Sequence, residues 1–124
     1  MILVAADDLW FTSKIAAAAG QLGIEVVFAH TFDAAIEQAR ARKPDLAILD
    51  LNGRNTQPLE ILAALKSDPT VGSVRTVGFV AHTDGETIAA ARAAGIDQVL
   101  ARSAFVASLA EILTSTEPRS STSS

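Results

Sequence analysis

Residues 46–52 read LAILDLN, a short apolar run with an aspartate, Asp50, near its end. Similar short apolar runs recur along the chain, and longer amphipathic stretches separate them. A parallel sheet with helices on both faces produces this pattern, because its strands are buried on both sides. The sequence therefore predicts an α/β fold of five strand–helix units. Five units in about 115 residues favour an open doubly wound sheet over a closed barrel, which needs about 250 residues.

The hydrophobic pattern places the individual elements. The predicted strands span residues 2–6, 24–29, 46–51, 74–81 and 98–101. The predicted helices span about 11–22, 32–42, 58–67 and 83–95, and a fifth begins after 103. Thr31 is expected to cap the second helix, and Thr83 with Glu86 forms a capping-box pattern at the start of the fourth.

Length and composition limit the classes of protein that fit. With 124 residues, 49% of them hydrophobic, the chain is expected to form one domain over residues 1–114. Residues 115–124 are rich in Ser and Thr, which predicts a solvated tail or the beginning of a linker. The lack of cysteine excludes disulfides, thiolate metal sites and thiol nucleophiles.

Charge and hydropathy exclude further classes. The net charge is −4 and Lys plus Arg total 10, so the chain lacks the basic surface that nucleic acid or an anionic membrane would require. No apolar run approaches the roughly 18–20 residues that cross a bilayer. Asp7 and Asp8 interrupt the apolar start before a signal peptide could form. We therefore expect a cytoplasmic protein with no nucleic-acid or membrane partner.

Acidic side chains follow two of the predicted strands. Asp7 and Asp8 come after the first strand, and Asp50 lies at the end of the third, two residues before Asn52. In an open parallel sheet, ligands gather at the carboxyl ends of the strands, so these residues are expected to share one site. Oxygen ligands of this kind suit Mg²⁺. The same cluster would favour formation of an aspartyl phosphate on Asp50, since the metal neutralises charge on the phosphoryl oxygens.

On these residues the chain resembles the receiver domain of bacterial response regulators, over about residues 1–113. The resemblance depends on the acidic pair Asp7-Asp8, the run LAILDLN, a helix start at Leu59 and the sequence GID at 95–97. It implies a flavodoxin-like (CheY-like) fold with five helices and strand order 2-1-3-4-5. It also implies a role in two-component phosphorelay signal transduction, with a histidine kinase as partner and no enzymatic function.

The resemblance assigns roles to individual residues. Asp50 corresponds to the phosphoacceptor and Asp7 to the principal acidic ligand of Mg²⁺. The backbone carbonyl of Asn52 corresponds to a further Mg²⁺ ligand. Arg102 stands where the family has lysine, which keeps the charge but replaces a point donor with a planar group. Asp8 is one residue away from the family's register, and its participation in the Mg²⁺ site is left open.

Two positions depart from the family's pattern. Val80 stands where the family has Thr or Ser at the end of the fourth strand, and Val99 stands where it has an aromatic residue. Neither valine can hydrogen-bond a phosphoryl group or turn a ring toward the outer face. These departures favour an alternative in which the chain is a pseudo-receiver, a protein–protein interaction module without phosphoryl control.

Other features leave further alternatives open. A hydrolase with an aspartate nucleophile is the least favoured hypothesis, because Asn52 stands where such enzymes need a second carboxylate. The family's usual dimer surface is formed by helix 4, strand 5 and helix 5, and the alanine-rich fourth helix permits a homodimer there. Trp10 is either a partner anchor or packs on the loop after Asp50. His82 follows the fourth strand, where a solvated loop histidine is the simpler interpretation.

Overall fold

The computed structural model describes residues 1–71, 73–81 and 84–114. Its strands are β1 (Ile2–Ala5), β2 (Val26–Ala29), β3 (Leu46–Asp50), β4 (Arg75–Val80) and β5 (Gln98–Ala101). Its helices are α1 (Leu9–Leu22), α2 (Phe32–Arg42), α3 (Pro58–Ser67), α4 (Gly85–Ala93), α5 (Arg102–Ala107) and α6 (Leu109–Thr114). The strands are all parallel and form one sheet in the order β2-β1-β3-β4-β5, which confirms the predicted topology.

The number of helices differs from the prediction at the end of the domain. One helix was expected after Ser103, but the backbone of Ser108 (φ −107°, ψ 16°) leaves the helical region and divides the segment into α5 and α6. The Ser108 N–H still donates to the Ala104 carbonyl at 3.0 Å, so the hydrogen bonding is nearly continuous. In addition, α5 begins at Arg102, directly after β5 and before the predicted start. The described residues therefore contain six helices instead of five.

Side-chain caps set where the helices begin. Thr31 accepts a hydrogen bond from Ala34 N–H at 3.1 Å and caps α2, as predicted. The start of α4 differs, because Asp84 is its N-cap and accepts from Thr87 N–H. The predicted capping residue Thr83 lies outside the described residues, as do His82 and the predicted tail 115–124.

The sheet separates two apolar layers. Its central strands β1 and β3 are buried at every residue. Because side chains alternate along a strand, Ile48 packs with α1, α5 and α6 on one face, and Leu49 packs with α2, α3 and α4 on the other. Burial on both faces explains why these strands are continuous apolar runs in the sequence. Of the helices described, none is long and apolar enough to cross a membrane.

Candidate functional site

Asp50 is the last residue of β3, at the carboxyl edge of the sheet, and its exposed fraction is only 4%. Burial raises the pKa of its carboxyl above the ordinary 3.8, and the nearby negative charges of Asp7 and Asp8 raise it further. A hydrogen bond from Asn52 N–H to Oδ1, at 3.0 Å, and the positive charge of Arg102 act in the opposite direction. The negative charge on Asp50 is therefore disfavoured by its apolar surroundings and stabilised by Asn52 N–H and Arg102.

An aromatic column explains that burial. Phe79 is the register partner of Asp50 on β4 and belongs to the same face of the sheet. Its ring stacks on Phe11 of α1, with centroids 4.5 Å apart, and lies 4.7 Å from the ring of Phe105 of α5. The three rings exclude water from one side of the site, which favours the neutral form of a carboxyl group.

Asp7 follows β1 and contacts the loop after β3. Its Oδ2 accepts hydrogen bonds from the backbone N–H groups of Arg54 at 2.9 Å and Asn55 at 3.0 Å. Its Oδ1 is buried and has no hydrogen-bond partner among residues 1–71, 73–81 and 84–114. Gly53 permits the close approach of this loop, since a Cβ at that position would lie 3.1 Å from the Asp50 carbonyl oxygen and 2.9 Å from Thr56 Oγ1.

Asp8 has a different set of contacts. Its Oδ1 accepts hydrogen bonds from Trp10 N–H at 2.8 Å and Phe11 N–H at 3.4 Å, and so caps α1. Its Oδ2 accepts from Arg102 Nη2 at 2.7 Å. Both oxygens of Asp8 are thus engaged, and Asp8 could contact a cation only after releasing one of these partners.

Arg102 is the first residue of α5 and lies beside the acidic group. Its guanidinium forms the ion pair with Asp8, and its Cζ is 4.4 Å from the centroid of the Phe11 ring. A guanidinium over an aromatic face is favourable, and the planar guanidinium of Arg stacks on a ring better than the compact ammonium of Lys does. Arg102, which the resemblance aligns with the family's lysine, is thus held at Asp8 and Phe11.

Asn52 makes contacts that the sequence analysis did not predict. Its Oδ1 accepts a hydrogen bond from Ala81 N–H at 2.9 Å, and its Nδ2 donates to Asp84 Oδ2 at 3.0 Å. The resemblance assigns a role only to its backbone carbonyl. No local signal could have revealed the side-chain contact, because Asp84 lies 32 residues farther along the chain.

Val80, which the resemblance aligns with the family's Thr or Ser, lies on the opposite face of β4 from the register partner of Asp50. Val80 packs in the apolar layer of α2, α3 and α4, whereas Phe79, the register partner of Asp50, packs in the other layer. Strand alternation therefore turns Val80 away from Asp50, and continuing it by one residue returns Ala81 to the Asp50 face. Ala81 also lacks a hydroxyl, so the chemical consequence is unchanged. Val99 packs at the border of the same layer as Val80, as half-buried core.

The residues that can hold a hard cation are Asp7 and Asp50. Across the described parts of the chain there is no group of three or more His, Cys, Asp or Glu side chains that could bind a metal ion. Mg²⁺ does not require one, because it is usually bound through one or two carboxylates and several waters. The buried Asp7 Oδ1 and the raised pKa of Asp50 both fit a site at which a cation would offset excess negative charge.

Comparison with known proteins identifies the family. The sequence model of the family described as response regulator receiver domain matches residues 2–114 of the chain. The chain belongs to this family. Receiver domains act in two-component signalling and interact with histidine kinases and other signalling proteins. The search of curated protein sequences found no match to this receiver domain.

Solved structures resemble the receiver domain over most of its length. The phosphorylated cyanobacterial phytochrome response regulator RcpA is 26% identical, with a TM-score of 0.75, and the match covers 90% of this chain and 86% of that one. A Burkholderia pseudomallei response regulator with a phosphorylated aspartic acid, a calcium ion and citrate is 27% identical, with a TM-score of 0.77, over 92% of this chain and 66% of that one. CheY4 of Vibrio cholerae is 18% identical, with a TM-score of 0.81, over 94% and 97% of the two chains, which supports the fold alone.

Trp10 lies at the border of the site in this receiver domain. It is 55% exposed, and its ring meets Phe11 edge-on with centroids 4.9 Å apart. Trp10, Arg102, Ser103 and Val106 line a shallow hollow on this side of the molecule. Since Trp10 is the only tryptophan, its fluorescence can report on changes around Asp8 and Arg102.

Proposed function

We propose that this receiver domain accepts a phosphoryl group on Asp50, with Mg²⁺ as cofactor, in a two-component phosphorelay. The observation that carries the proposal is the environment of this one carboxyl group. Asp50 is almost fully buried, and Asn52 N–H engages its Oδ1. Within the described residues its Oδ2 accepts no hydrogen bond, which leaves that oxygen for attack on phosphorus. A position needed only for folding would be more stable with an apolar side chain.

The transfer is a substitution at phosphorus. Oδ2 of Asp50 forms the new O–P bond while the P–N bond of a phosphohistidine on the partner kinase breaks. The imidazole nitrogen leaves with the electron pair of the broken P–N bond, and a proton on the other ring nitrogen makes the departing group a neutral imidazole. Arg102 supplies positive charge beside the site, in keeping with its effect on the pKa of Asp50.

Mg²⁺ would be held by Asp7, Asp50 and the backbone carbonyl of Asn52. Bound there, it would neutralise charge on the phosphoryl oxygens. The unpartnered Oδ1 of Asp7 supports this assignment. The similar protein from Burkholderia pseudomallei carries both a phosphorylated aspartic acid and a calcium ion. By analogy, this supports a divalent cation together with a phosphorylated aspartate in the present domain. Asp8 would join the site only if Arg102 moved from it to the phosphoryl group.

The proposal is tested by titrating the protein with Mg²⁺ and beryllofluoride, a mimic of the phosphoryl group. We expect a saturable change in Trp10 fluorescence and shifts of the Asp50 and Gly53 amides. Asp50→Asn should abolish both responses, because it removes the attacking carboxylate. Asp33→Asn, which removes an equal charge from the exposed first turn of α2, should leave both intact.

Phosphorylation itself is measured by intact mass after incubation with Mg²⁺ and acetyl phosphate. A mass increase equal to one phosphoryl group in the wild type, and none in Asp50→Asn, is the expected result. Absence of both beryllofluoride binding and phosphoryl transfer in the wild type would contradict the proposal.

A second candidate function is that of a pseudo-receiver, which binds a partner without phosphoryl control. It is favoured by the apolar packing of Val80 and Val99 and by the engagement of Arg102 with Asp8. In this case the responses to beryllofluoride would be absent or would stop at the loops around Asp7 and Asp50. Partner binding would then be the same for the wild type and Asp50→Asn.

The partner under either function is a protein. We propose a histidine kinase or another signalling protein of the cytoplasm, with no nucleic-acid or membrane partner and no enzymatic turnover. The surface of α4, β5 and α5 is proposed for output or for a homodimer. Its support is that β5 is an edge strand of the sheet and is half-buried at all four residues.

A further inference from the structure

Asn52 contacts the phosphoacceptor with its backbone and the start of α4 with its side chain. Its N–H donates to Asp50 Oδ1 at 3.0 Å. Its Nδ2 donates to Asp84 Oδ2 at 3.0 Å, and its Oδ1 accepts from Ala81 N–H at 2.9 Å. One residue therefore joins the end of β3, the end of β4 and the first turn of α4.

Asp84 connects this contact to the helix. Its Oδ1 accepts from Thr87 N–H at 3.1 Å, and its Oδ2 accepts from the Thr87 hydroxyl at 2.7 Å. These hydrogen bonds lower the pKa of Asp84, with a smaller contribution from Asn52. The Asn52–Asp84 hydrogen bond therefore ends on a charged acceptor, and such bonds are stronger than neutral ones. A displacement of the Asn52 side chain would be transmitted to the first turn of α4.

Two other positions on the way from the site to this face of the domain are apolar. Val80 and Val99 pack in the layer of α2, α3 and α4, and neither offers a group that a phosphoryl oxygen could attract. Asn52 offers both a backbone donor to Asp50 and a side-chain donor to Asp84. Within residues 1–71, 73–81 and 84–114, the side-chain hydrogen bonds from the site to the start of α4 thus pass through Asn52.

We infer that Asn52 is a positioning residue that transmits the chemical state of Asp50 to α4. The inference rests on the proposed function and extends it to regulation. Bond formation at Oδ2 converts Oδ1 from a carboxylate oxygen to the carbonyl oxygen of an acyl phosphate, which is a weaker acceptor for Asn52 N–H. The added phosphoryl oxygens also compete with Asp84 for Asn52 Nδ2. A modification shifts a conformational equilibrium only through contacts that differ between the two states, and both of these contacts differ.

The first test follows backbone amide shifts on addition of Mg²⁺ and beryllofluoride. In the wild type we expect shifts at Asp50 and Gly53 and also at Asp84 and Thr87. In Asn52→Ala the shifts at Asp50 and Gly53 should persist, whereas those at Thr87 should be lost. The control is Gln21→Ala, which removes an exposed amide side chain near the end of α1, and it should retain every shift.

A second variant separates the contact from the stability of the helix. Asp84→Ser keeps a side chain that can cap α4 but is too short to reach Asn52. We expect it to behave like Asn52→Ala, with a responsive site and an unresponsive Thr87. Shifts at Thr87 that persist at wild-type size in both variants would overturn the inference, as would a wild type whose site responds while Thr87 does not.

A ligand-free comparison keeps this test independent of the proposed function. Asp50→Asn replaces the charged acceptor of Asn52 N–H with a neutral one, which should shift the Thr87 amide in the wild-type background and not in Asn52→Ala. If beryllofluoride does not bind at all, the proposed function fails. This comparison still decides whether Asn52 transmits the state of Asp50 to α4. Equal shifts of Thr87 in the two backgrounds, or no shift in either, would refute it.

Discussion

At the scale of single residues, two aspartates show how the surroundings determine charge. Burial raises the pKa of Asp50, whereas hydrogen bonds lower the pKa of Asp68 to about 2. The largest effects on Asp68 come from the hydroxyl and the backbone N–H of Thr70, followed by Arg40 of α2. Asp68 thus stabilises the fold as an anion. The burial of Asp50 instead opposes its negative charge, which is the property expected of a residue retained for chemistry.

The Asp68 contacts predict an acid dependence of stability. A carboxyl whose pKa is lower in the folded state contributes stability that is present above its unfolded pKa and is lost as the pH falls toward the folded value. For Asp68 this window extends from about 4 down to about 2. We expect Asp68→Asn to reduce the loss of unfolding free energy between about pH 5 and about pH 2.5, measured by urea denaturation. Asp33→Asn is the control, and an unchanged pH dependence in Asp68→Asn would contradict the prediction.

The sequence indicated which charged residues lie at the strand ends but not how they pair. Asp7, Asp8, Asp50 and Arg102 were all expected at one edge of the sheet, because the carboxyl ends of parallel strands meet there. The different contacts of Asp7 and Asp8 depend on the turn between β1 and α1. This turn directs the Asp7 carboxylate to the loop after β3 and the Asp8 carboxylate to Arg102. Such directions are set by packing at the scale of an ångström and leave no periodic signal in the sequence.

At the scale of elements, Gly78 shows how strand pairing and packing are coupled. Gly78 pairs with Leu49 of β3 and Val99 of β5 in the middle of β4. A Cβ there would lie 2.7 Å from Leu51 Cδ1 and 2.8 Å from Ile96 Cδ1. Glycine in a central strand therefore makes room for two side chains that close the apolar layer behind the site.

This packing predicts opposite effects for two Gly→Ala substitutions. Gly78→Ala should lower the free energy of unfolding by about 1–3 kcal/mol, because it overpacks a closed layer. Gly20→Ala, on the open surface of α1, should raise it by about 0.5–1 kcal/mol, because alanine favours the helix and meets no atom within 4 Å. Chemical denaturation of both variants measures the difference. A neutral Gly78→Ala would show that Leu51 and Ile96 can move aside.

The existence and order of the elements could be predicted, whereas some of their ends could not. Apolar runs located all five strands, and the right-handed crossover limited the topology. The predicted strand 24–29 begins only at Val26, although the Glu25 carbonyl already accepts a hydrogen bond from Ile2 N–H at 3.0 Å. The break at Ser108 was missed because Phe105, Leu109 and Ile112 keep helical spacing across it. Local backbone geometry at such points depends on tertiary packing, which periodicity does not record.

At the scale of the whole molecule, the acidic edge of the sheet links cation binding to the stability of the fold. Asp7 is half-buried with one unpartnered oxygen, and Asp50 is almost fully buried with a raised pKa. A carboxyl with a raised folded pKa gains stability from protonation at low pH and loses it as the pH rises through that pKa. Ionisation of Asp50 in the folded state therefore costs stability, and a bound cation would offset that cost.

This linkage predicts a specific response of unfolding to Mg²⁺. A ligand that binds only the folded state stabilises it by about 1.4 kcal/mol when its concentration is ten times its Kd. For a domain of this size the corresponding rise in Tm is about 5 °C. We expect Mg²⁺ to raise the Tm of the wild type at neutral pH and to have little effect on Asp50→Asn. Without Mg²⁺, Asp50→Asn should be more stable than the wild type, because a neutral amide replaces the opposed charge.

The control for this prediction is Asp45→Asn, since Asp45 lies at the amino end of β3, where it pairs with the Met1 amine. Its loss should lower stability slightly and leave the Mg²⁺ response intact, because that end of the sheet is a strand length away from Asp50. An equal Mg²⁺ response in Asp50→Asn and the wild type would remove Asp50 from the cation site. If Asp50→Asn were less stable than the wild type without Mg²⁺, the charge of Asp50 would be a structural requirement, and its burial would no longer support a role as phosphoacceptor.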